Sequence, residues 1–520
     1  MHPARASTPW PHARAVRWAL LGAAVVLLVW QVLRWDYVAD DAYIAFVHVR
    51  NVAAGHGPVY NEGQRVEGYS SPAWVALLSV AALLGASVPV AAILLGLAFG
   101  VATLVAVVRA GRDVLRLPSV APELAAVALS TLGPWTFWVG AGLESALFGW
   151  LVLEIWIAAE RLRRDGRGAG LVVGLAATIA LTRPEGPLAL PIAAWLVRAP
   201  LRRRERAVVL AAVAAAMVLA AHLALRLAYY GVPLATSSYA KATVGLDAAA
   251  RGLAYLGGWL GAGGFGPAVP LLLAGALGRR APGVPSLLVA LGIYAAFVIA
   301  VGGDGLYQWR FVAHVAPLLA VLLVASAQRL EAVGAGVGWA ALAFATWSSW
   351  SASWSFPIAA ARHVESRWEA VGVAIDRGTP RGATVATNVA GKLAWTAHRD
   401  VIDLLGLCDP VVARTAGPSA GRGLAGHERA APAYVLGRRP DVVYLSVLDD
   451  VARDDLSDLA RVRLLVAGSP LGGYADMVAA PEFAASYQPG WLLLEHHARP
   501  APVFVRRGAS LEGAERREWR

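Results

Sequence analysis

Apolar residues gather into long runs at about 17–34, 72–108, 119–138, 145–160, 168–182, 185–198, 206–229, 252–275, 283–302, 309–328 and 333–350. A spanning helix needs roughly 17–25 such residues. The pattern therefore predicts a polytopic α-helical membrane protein with about 11–12 transmembrane helices, the shorter runs borrowing flanking residues. Arginines punctuate the runs: Arg109, Arg112 and Arg116; Arg161, Arg163, Arg164 and Arg167; Arg198, Arg202, Arg203, Arg204 and Arg206; Arg279 and Arg280; Arg329. Such clusters mark cytoplasmic loops. With one crossing per run, the region after the last run lies outside. The run at 72–108 is long enough for two helices split near Gly85 to Pro89. Two crossings there would strand Arg109–Arg116 on the wrong side, so 72–86 is expected as a partly embedded helix on the outer side.

Beyond residue 352 the apolar runs shorten to strand length. The stretches 383–388, 399–405 and 441–447 read as buried strands, with helix between them, for example at about 361–377. The expected division is a transmembrane module over 1–352, whose first outer loop is about 35–71, and a soluble α/β domain over 353–520 on the outer face. No transporter-type internal repeat is visible.

Composition narrows the class. The chain of 520 residues is 58% hydrophobic and 16% charged, too apolar for a disordered chain or an ordinary soluble one. The net charge of +11 follows the loop arginines and points to a membrane rather than to nucleic acid. Only Lys241 and Lys392 are lysines. The single cysteine, Cys408, excludes an internal disulfide and a cysteine-based metal site. The first run follows Arg5, Arg14 and Arg17 and lacks a small-residue cleavage site, so it reads as a signal anchor with a cytoplasmic N-terminus.

The outer loops carry the candidate chemistry. Asp40 and Asp41 follow the first helix. One of them can act as a base in a semi-dry site, or can simply cap a helix of about 42–54. Glu67 and Tyr69 lie in a loop that is either turn chemistry or a sugar or phosphate cradle. Glu144 opens one apolar helix, and Arg183 and Glu185 open another, where they can also pair with each other. Lys241 suits phosphate or snorkels at the interface. Asp304 and Arg310 flank a further helix end. His314, within that helix, reads first as a packed, hydrogen-bonded histidine. Acid, base and cation converging on one face of a bundle suggest an enzyme site there.

These residues resemble a family. Asp40-Asp41-Ala42-Tyr43-Ile44 after the first helix looks like the first outer loop of the GT-C membrane glycosyltransferases. Gly57-Pro58-Val59-Tyr60-Asn61 and Arg65-Val66-Glu67-Gly68-Tyr69-Ser70-Ser71-Pro72 are similar to the mycobacterial terminal arabinofuranosyltransferases and their bacterial relatives. So are Gly142-Leu143-Glu144-Ser145, Arg183-Pro184-Glu185-Gly186, Tyr239-Ala240-Lys241, Gly302-Gly303-Asp304 and Arg310-Phe311. Val401–Leu407 with Asp409 and His427 looks like part of the same pattern. The resemblance implies the GT-C fold and inverting transfer of a sugar, arabinofuranose among the possibilities, from a polyprenyl-phosphate donor. The acceptor would be a cell-envelope glycan, lipid or protein on the outer face of the bacterial cytoplasmic membrane. Asp40 or Asp41 would be the base, and Lys241, Arg183 and Arg310 would take the donor phosphate. Glu67, Tyr69, Glu144, Glu185, Asp304 and His314 would orient sugar or acceptor, or hold a divalent cation such as Mg or Mn, whose need is left open. The competing readings are a flippase for a lipid-linked sugar, which would place its ionisable groups in mid-helix, and a non-catalytic scaffold.

Overall fold

The helix Arg310–Leu330 is apolar on nearly every side, and a helix of that kind is buried. In the computed structural model, which describes residues 13–188, 201–241, 245–277, 283–331, 334–418 and 424–519, it is the centre of a helical bundle. Ala121–Thr131, Gly133–Gly140, Ser145–Asp165 and Ala268–Leu277 pack around it. Among the described residues five helices are long and apolar enough to cross a membrane: Arg14–Trp35, Val88–Val114, Ala212–Tyr230, Val284–Val301 and Arg310–Leu330. The chain is a multi-pass helical membrane protein.

The remaining expected spans are shorter or more polar. The run at 119–138 breaks at Leu132, which is extended, and Pro134 stands in the first turn of the next helix, where its missing N–H costs nothing. The run at 252–275 becomes Leu246–Gly261 and Ala268–Leu277, parted by a turn that holds Gly264 at φ +69° and Pro267. The run at 72–108 splits where expected, into Pro72–Leu83 and Val88–Arg109. Twelve residues rise only about 18 Å, short of the ~30 Å hydrocarbon core. Of the run at 185–198, residues from 189 onward lie outside the described residues.

The last bundle helix, Val337–Trp354, is followed by Ile358–Gly378 and then by a sheet-bearing domain. The three predicted strands are present as β1 (Thr384–Thr387), β2 (Asp400–Asp403) and β3 (Val442–Tyr444), and the predicted helix at 361–377 is Ile358–Gly378. Three further strands, β4 (Tyr487–Leu492), β5 (Ala501–Arg506) and β6 (Ala514–Arg516), complete a six-stranded sheet in the order β2-β1-β3-β5-β4-β6. β2, β1 and β3 are parallel, with Val385 opposite both Val401 and Val442. The β5, β4 and β6 edge is antiparallel. Helices Ile358–Gly378 and Lys392–Ala397 pack together beside the sheet, and Lys392–Ala397 packs against Asp40–Ala53.

Candidate functional site

The acidic pair begins a helix rather than preceding one. Asp40 and Asp41 form the first turn of Asp40–Ala53, Ala39 stands at the N-cap, and no side chain caps the end. The capping alternative is thereby corrected: the helix starts two residues earlier than expected. Its N-terminal dipole favours both carboxylates, yet successive residues on a helix point apart, and the two acids enter different surroundings.

Asp41 lines a cavity of about 270 Å³ at the end of the bundle that bears the sheet domain. Its Oδ2 lies 3.4 Å from Lys241 Nζ and 3.8 Å from Arg310 Nη1. Burial alone would raise its carboxyl, but Lys241 and then Arg310 outweigh burial and hold it below the usual carboxylate range. Asp40 does not line the cavity. Its Oδ1 accepts a hydrogen bond from the backbone nitrogen of Lys392 at 2.6 Å. Burial first, and Glu365 second, push its carboxyl up to about 7.

Arg310 is placed by an unusual turn. Gln308 and Trp309, with φ of 51° and 42°, both take the left-handed conformation just before the helix. Such positions persist only where the surroundings impose them. Here the Trp138 indole donates to the carbonyls of Tyr307 and Gln308 at 3.1 Å each. Arg310 Nε meets Asp304 Oδ2 at 2.6 Å, so the cation at a helix N-terminus is compensated.

Lys241 ends the short helix Thr236–Lys241, lines the cavity, and has a side chain 40% exposed. The sheet domain reaches across to fix that helix: Arg429 donates to the carbonyls of Tyr239 and Ala240 at 2.9 and 3.2 Å. Leu407, Ala425 and Gly426 of the same domain close one side of the cavity.

The other expected residues divide in two. Arg183, Glu144, Glu185, Asp304 and Tyr69 line the cavity. Arg183 is clamped between Glu144 and Glu185, its Nε 2.5 Å from Glu185 Oε1, so the pairing weighed for Arg183 and Glu185 exists and leaves Lys241 and Arg310 as the cations nearest Asp41. Glu67 and His314 stay outside the cavity. Glu67, 1% exposed, meets Arg226 through both oxygens, at 3.0 and 2.7 Å. It ties the first loop to Leu201–Tyr230. His314 is fully buried, with Nδ1 2.7 Å from the Tyr294 hydroxyl and Nε2 3.3 Å from Ser145 Oγ. It is the packed, hydrogen-bonded histidine that its mid-helix position suggested.

Sequence reasoning missed Lys392, Glu365 and Tyr37, which gather behind Asp40. One signal was available: the chain has only two lysines, and the ammonium of one faces Asp41 while the backbone nitrogen of the other bonds Asp40. For a divalent cation the residues present do not fit. Among the described residues no three His, Cys, Asp or Glu side chains gather as a metal site, and the cavity carboxylates each face an arginine or a lysine.

Comparison with known proteins adds a lineage to this geometry. A family model described as a domain of unknown function, DUF8728, matches residues 358–504. The terminal beta-(1->2)-arabinofuranosyltransferase of Mycobacterium tuberculosis is 30% identical over 264 residues, 47% of this chain and 41% of that protein. The enzyme of the same name from Corynebacterium glutamicum is 28% identical over 377 residues, 62% of this chain and 53% of that protein. The chain spans about half the length of the curated relatives it matches. In fold it is similar to ArnT from Cupriavidus metallidurans, solved bound to undecaprenyl phosphate, with a TM-score of 0.56, 11% identity, and coverage of 95% of this chain and 98% of that one. The fold is thus of the GT-C type, and the resemblance of the chain to the terminal arabinofuranosyltransferases is borne out.

Proposed function

We propose that the chain is a GT-C glycosyltransferase that moves a sugar, arabinofuranose first among the candidates, from a polyprenyl-phosphate donor to a cell-envelope glycan, lipid or protein. The reaction takes place on the outer face of the bacterial cytoplasmic membrane. Residues 1–352 act as the catalytic module, and 353–520 as the domain that covers it.

The observation that carries this reading is the position of Asp41. A carboxylate kept ionised by Lys241 and Arg310 lines a cavity at the end of a membrane bundle. A lipid-borne donor reaches such a site from the bilayer. Asp41 accepts the proton of the acceptor hydroxyl, and that oxygen forms a bond to the anomeric carbon from the face opposite the leaving group, so the configuration inverts. The bond from the anomeric carbon to the phosphate oxygen breaks, and the polyprenyl phosphate leaves with the extra charge. Lys241 and Arg310 stabilise that charge. As they turn toward phosphate they release their hold on Asp41, whose basicity rises when a base is needed. Arg183, over-compensated by two glutamates, orients the sugar side of the cavity with Glu144 and Glu185. Asp304 aims Arg310. The relatives' printed activity, arabinofuranosyl transfer, supports the choice of sugar, and the undecaprenyl phosphate bound by ArnT supports the choice of carrier.

The test is turnover by the purified protein in nanodiscs with a panel of polyprenyl-phosphate sugars and envelope acceptors, followed by mass spectrometry. Consumption of one donor, lost in Asp41→Asn without loss of fold, is expected. Donors that bind but are never consumed, and that cross a sealed vesicle instead, would overturn it in favour of a flippase.

A further inference from the structure

Lys392 and Glu365 are 8% and 3% exposed, and neither touches the cavity. Lys392 Nζ lies 3.2 Å from Glu365 Oε2 and 5.4 Å from the centre of the Tyr43 ring. The other Glu365 oxygen accepts a short hydrogen bond from the Tyr37 hydroxyl. The same lysine's backbone nitrogen holds Asp40. Gly391, just before it, has no room for a side chain, because a Cβ there would overlap the Asp40 backbone. The turn after β1 is therefore moulded onto the residue next to the proposed base. Further contacts fix the rest of the loop to the same domain: Arg50 donates to the Trp395 carbonyl at 2.7 Å, the Tyr60 hydroxyl to that of Ala390 at 2.5 Å, and Asn61 exchanges two bonds of 2.9 Å with Val401.

Those further contacts already dock the domain. A buried ion pair adds little net stability to such a surface, since desolvation offsets most of its attraction. What it adds here is direction. We propose that Lys392 and Glu365 are positioning residues of the transfer site: by seating Asp40 they fix the first turn of Asp40–Ala53, and so the direction in which Asp41 enters the cavity between Lys241 and Arg310. The inference rests on the reading of Asp41 as the base, and it makes the sheet domain part of the chemistry as well as a cover.

The groups facing Asp40 set its response to pH. On its own helix these are Asp41 and the neutral Tyr43. Tyr37 comes from the preceding segment and Tyr60 from the following loop. Glu365, Lys392 and the thiol of Cys408 come from the sheet domain. Only Lys392 among them opposes protonation through its charge and its backbone hydrogen bond. Removal of its ammonium keeps Asp40 and Glu365 protonated to higher pH, and a neutral Asp40 accepts a weaker bond from the turn.

The experiment uses the full chain in nanodiscs with Lys392→Met, which keeps the stem and the backbone donor, and Lys392→Arg, which keeps the charge. The expected result for Lys392→Met is a kcat lowered roughly ten- to a hundredfold, with donor KM little changed. The acid limb of the pH–rate profile moves upward, and hydrogen exchange over 40–53 becomes faster. Lys392→Arg recovers much of the loss. An active wild type beside a Lys392→Met protein of unchanged kcat and pH profile overturns the proposal. So does unchanged exchange over 40–53, or a loss that only tracks the unfolded fraction in both variants. A wild type that consumes no donor overturns the transferase reading itself, and the exchange measurement still reports on the seat in that event.

Discussion

Asp40 accepts a hydrogen bond at 2.6 Å from the backbone nitrogen of Lys392, 352 residues further along the chain, while its neighbour Asp41 faces Lys241 at 3.4 Å. Two identical side chains, adjacent in sequence, thus serve opposite walls of one helix end. Burial and Glu365 push the first carboxyl up, and two cations hold the second down. Environments that separate the pKa values of paired acids also separate their roles. On the proposed mechanism the base is the acid that is held ionised and lines the cavity, and the seat is the one that meets the sheet domain.

Asp41→Asn removes the proposed proton acceptor and keeps its shape. The loss of a general base costs about 10²–10⁴ in rate. We expect turnover to fall by about that factor while donor binding, followed by intrinsic tryptophan fluorescence, persists. A variant with more than a tenth of wild-type turnover would remove Asp41 from the role.

Lys241→Gln tests the phosphate side. Donor KM is expected to rise about tenfold, as for loss of one charge-assisted contact. Because the cation also holds Asp41 down, the acid limb of the pH–rate profile should move upward. The lysine is 40% exposed, so solvent screening moderates that move. Steady-state kinetics across pH separates the two effects.

Glu67 tests the line between site and scaffold. The family pattern included it among sugar- or metal-orienting residues, but its carboxylate is occupied by Arg226 and lies outside the cavity. Glu67→Ala leaves Arg226 without its carboxylate, with the Pro233 carbonyl as its remaining partner, a loss of about 3 kcal/mol for a buried pair broken on one side. Thermal unfolding should show that loss, with turnover per folded molecule nearly intact. Equal stability with lost turnover would return Glu67 to the site.

The fold was legible where one physical signal dominated. Among the described residues, long apolar runs became helices, whole or broken, and β1 to β3 stood out because strands buried on both faces read as continuous apolar stretches. β4 and β5 were hidden by their own prolines. Pro489 sits opposite Phe504 and Pro502 opposite Trp491, and a proline within a short run argues against a strand. The helix breaks at Leu132 and at Gly264 were hidden because hydropathy continues through them. Of the site, the helix-end acids and cations were visible, but not their partners. Glu67 finds Arg226 159 residues away and Asp40 finds Lys392 352 residues away, separations that no local pattern encodes. Lys392 also sits in a stretch that reads as ordinary soluble α/β sequence, where a buried lysine gives no hydropathy signal of its own.

Asp40→Asn sets stability against function. The Asp40 carboxyl titrates at about 7 in the folded protein, against an ordinary value of 3.8. A folded state that binds the proton more tightly loses stability as pH rises from the unfolded value through the folded one. Asparagine cannot ionise, and its oxygen can still accept from Lys392. The variant should therefore match the wild type in acid and exceed it in stability above neutral pH, by roughly 1–4 kcal/mol, because a tenfold difference in proton affinity is worth about 1.4 kcal/mol. If the ionised Asp40 is what the Lys392 turn grips, the same variant should turn over more slowly at that pH despite unfolding at a higher temperature. A variant that is no more stable above neutral pH than in acid, relative to wild type, would show that Asp40 is not held in a setting that resists its charge. One that is more stable and equally active would show that its charge has no part in directing Asp41.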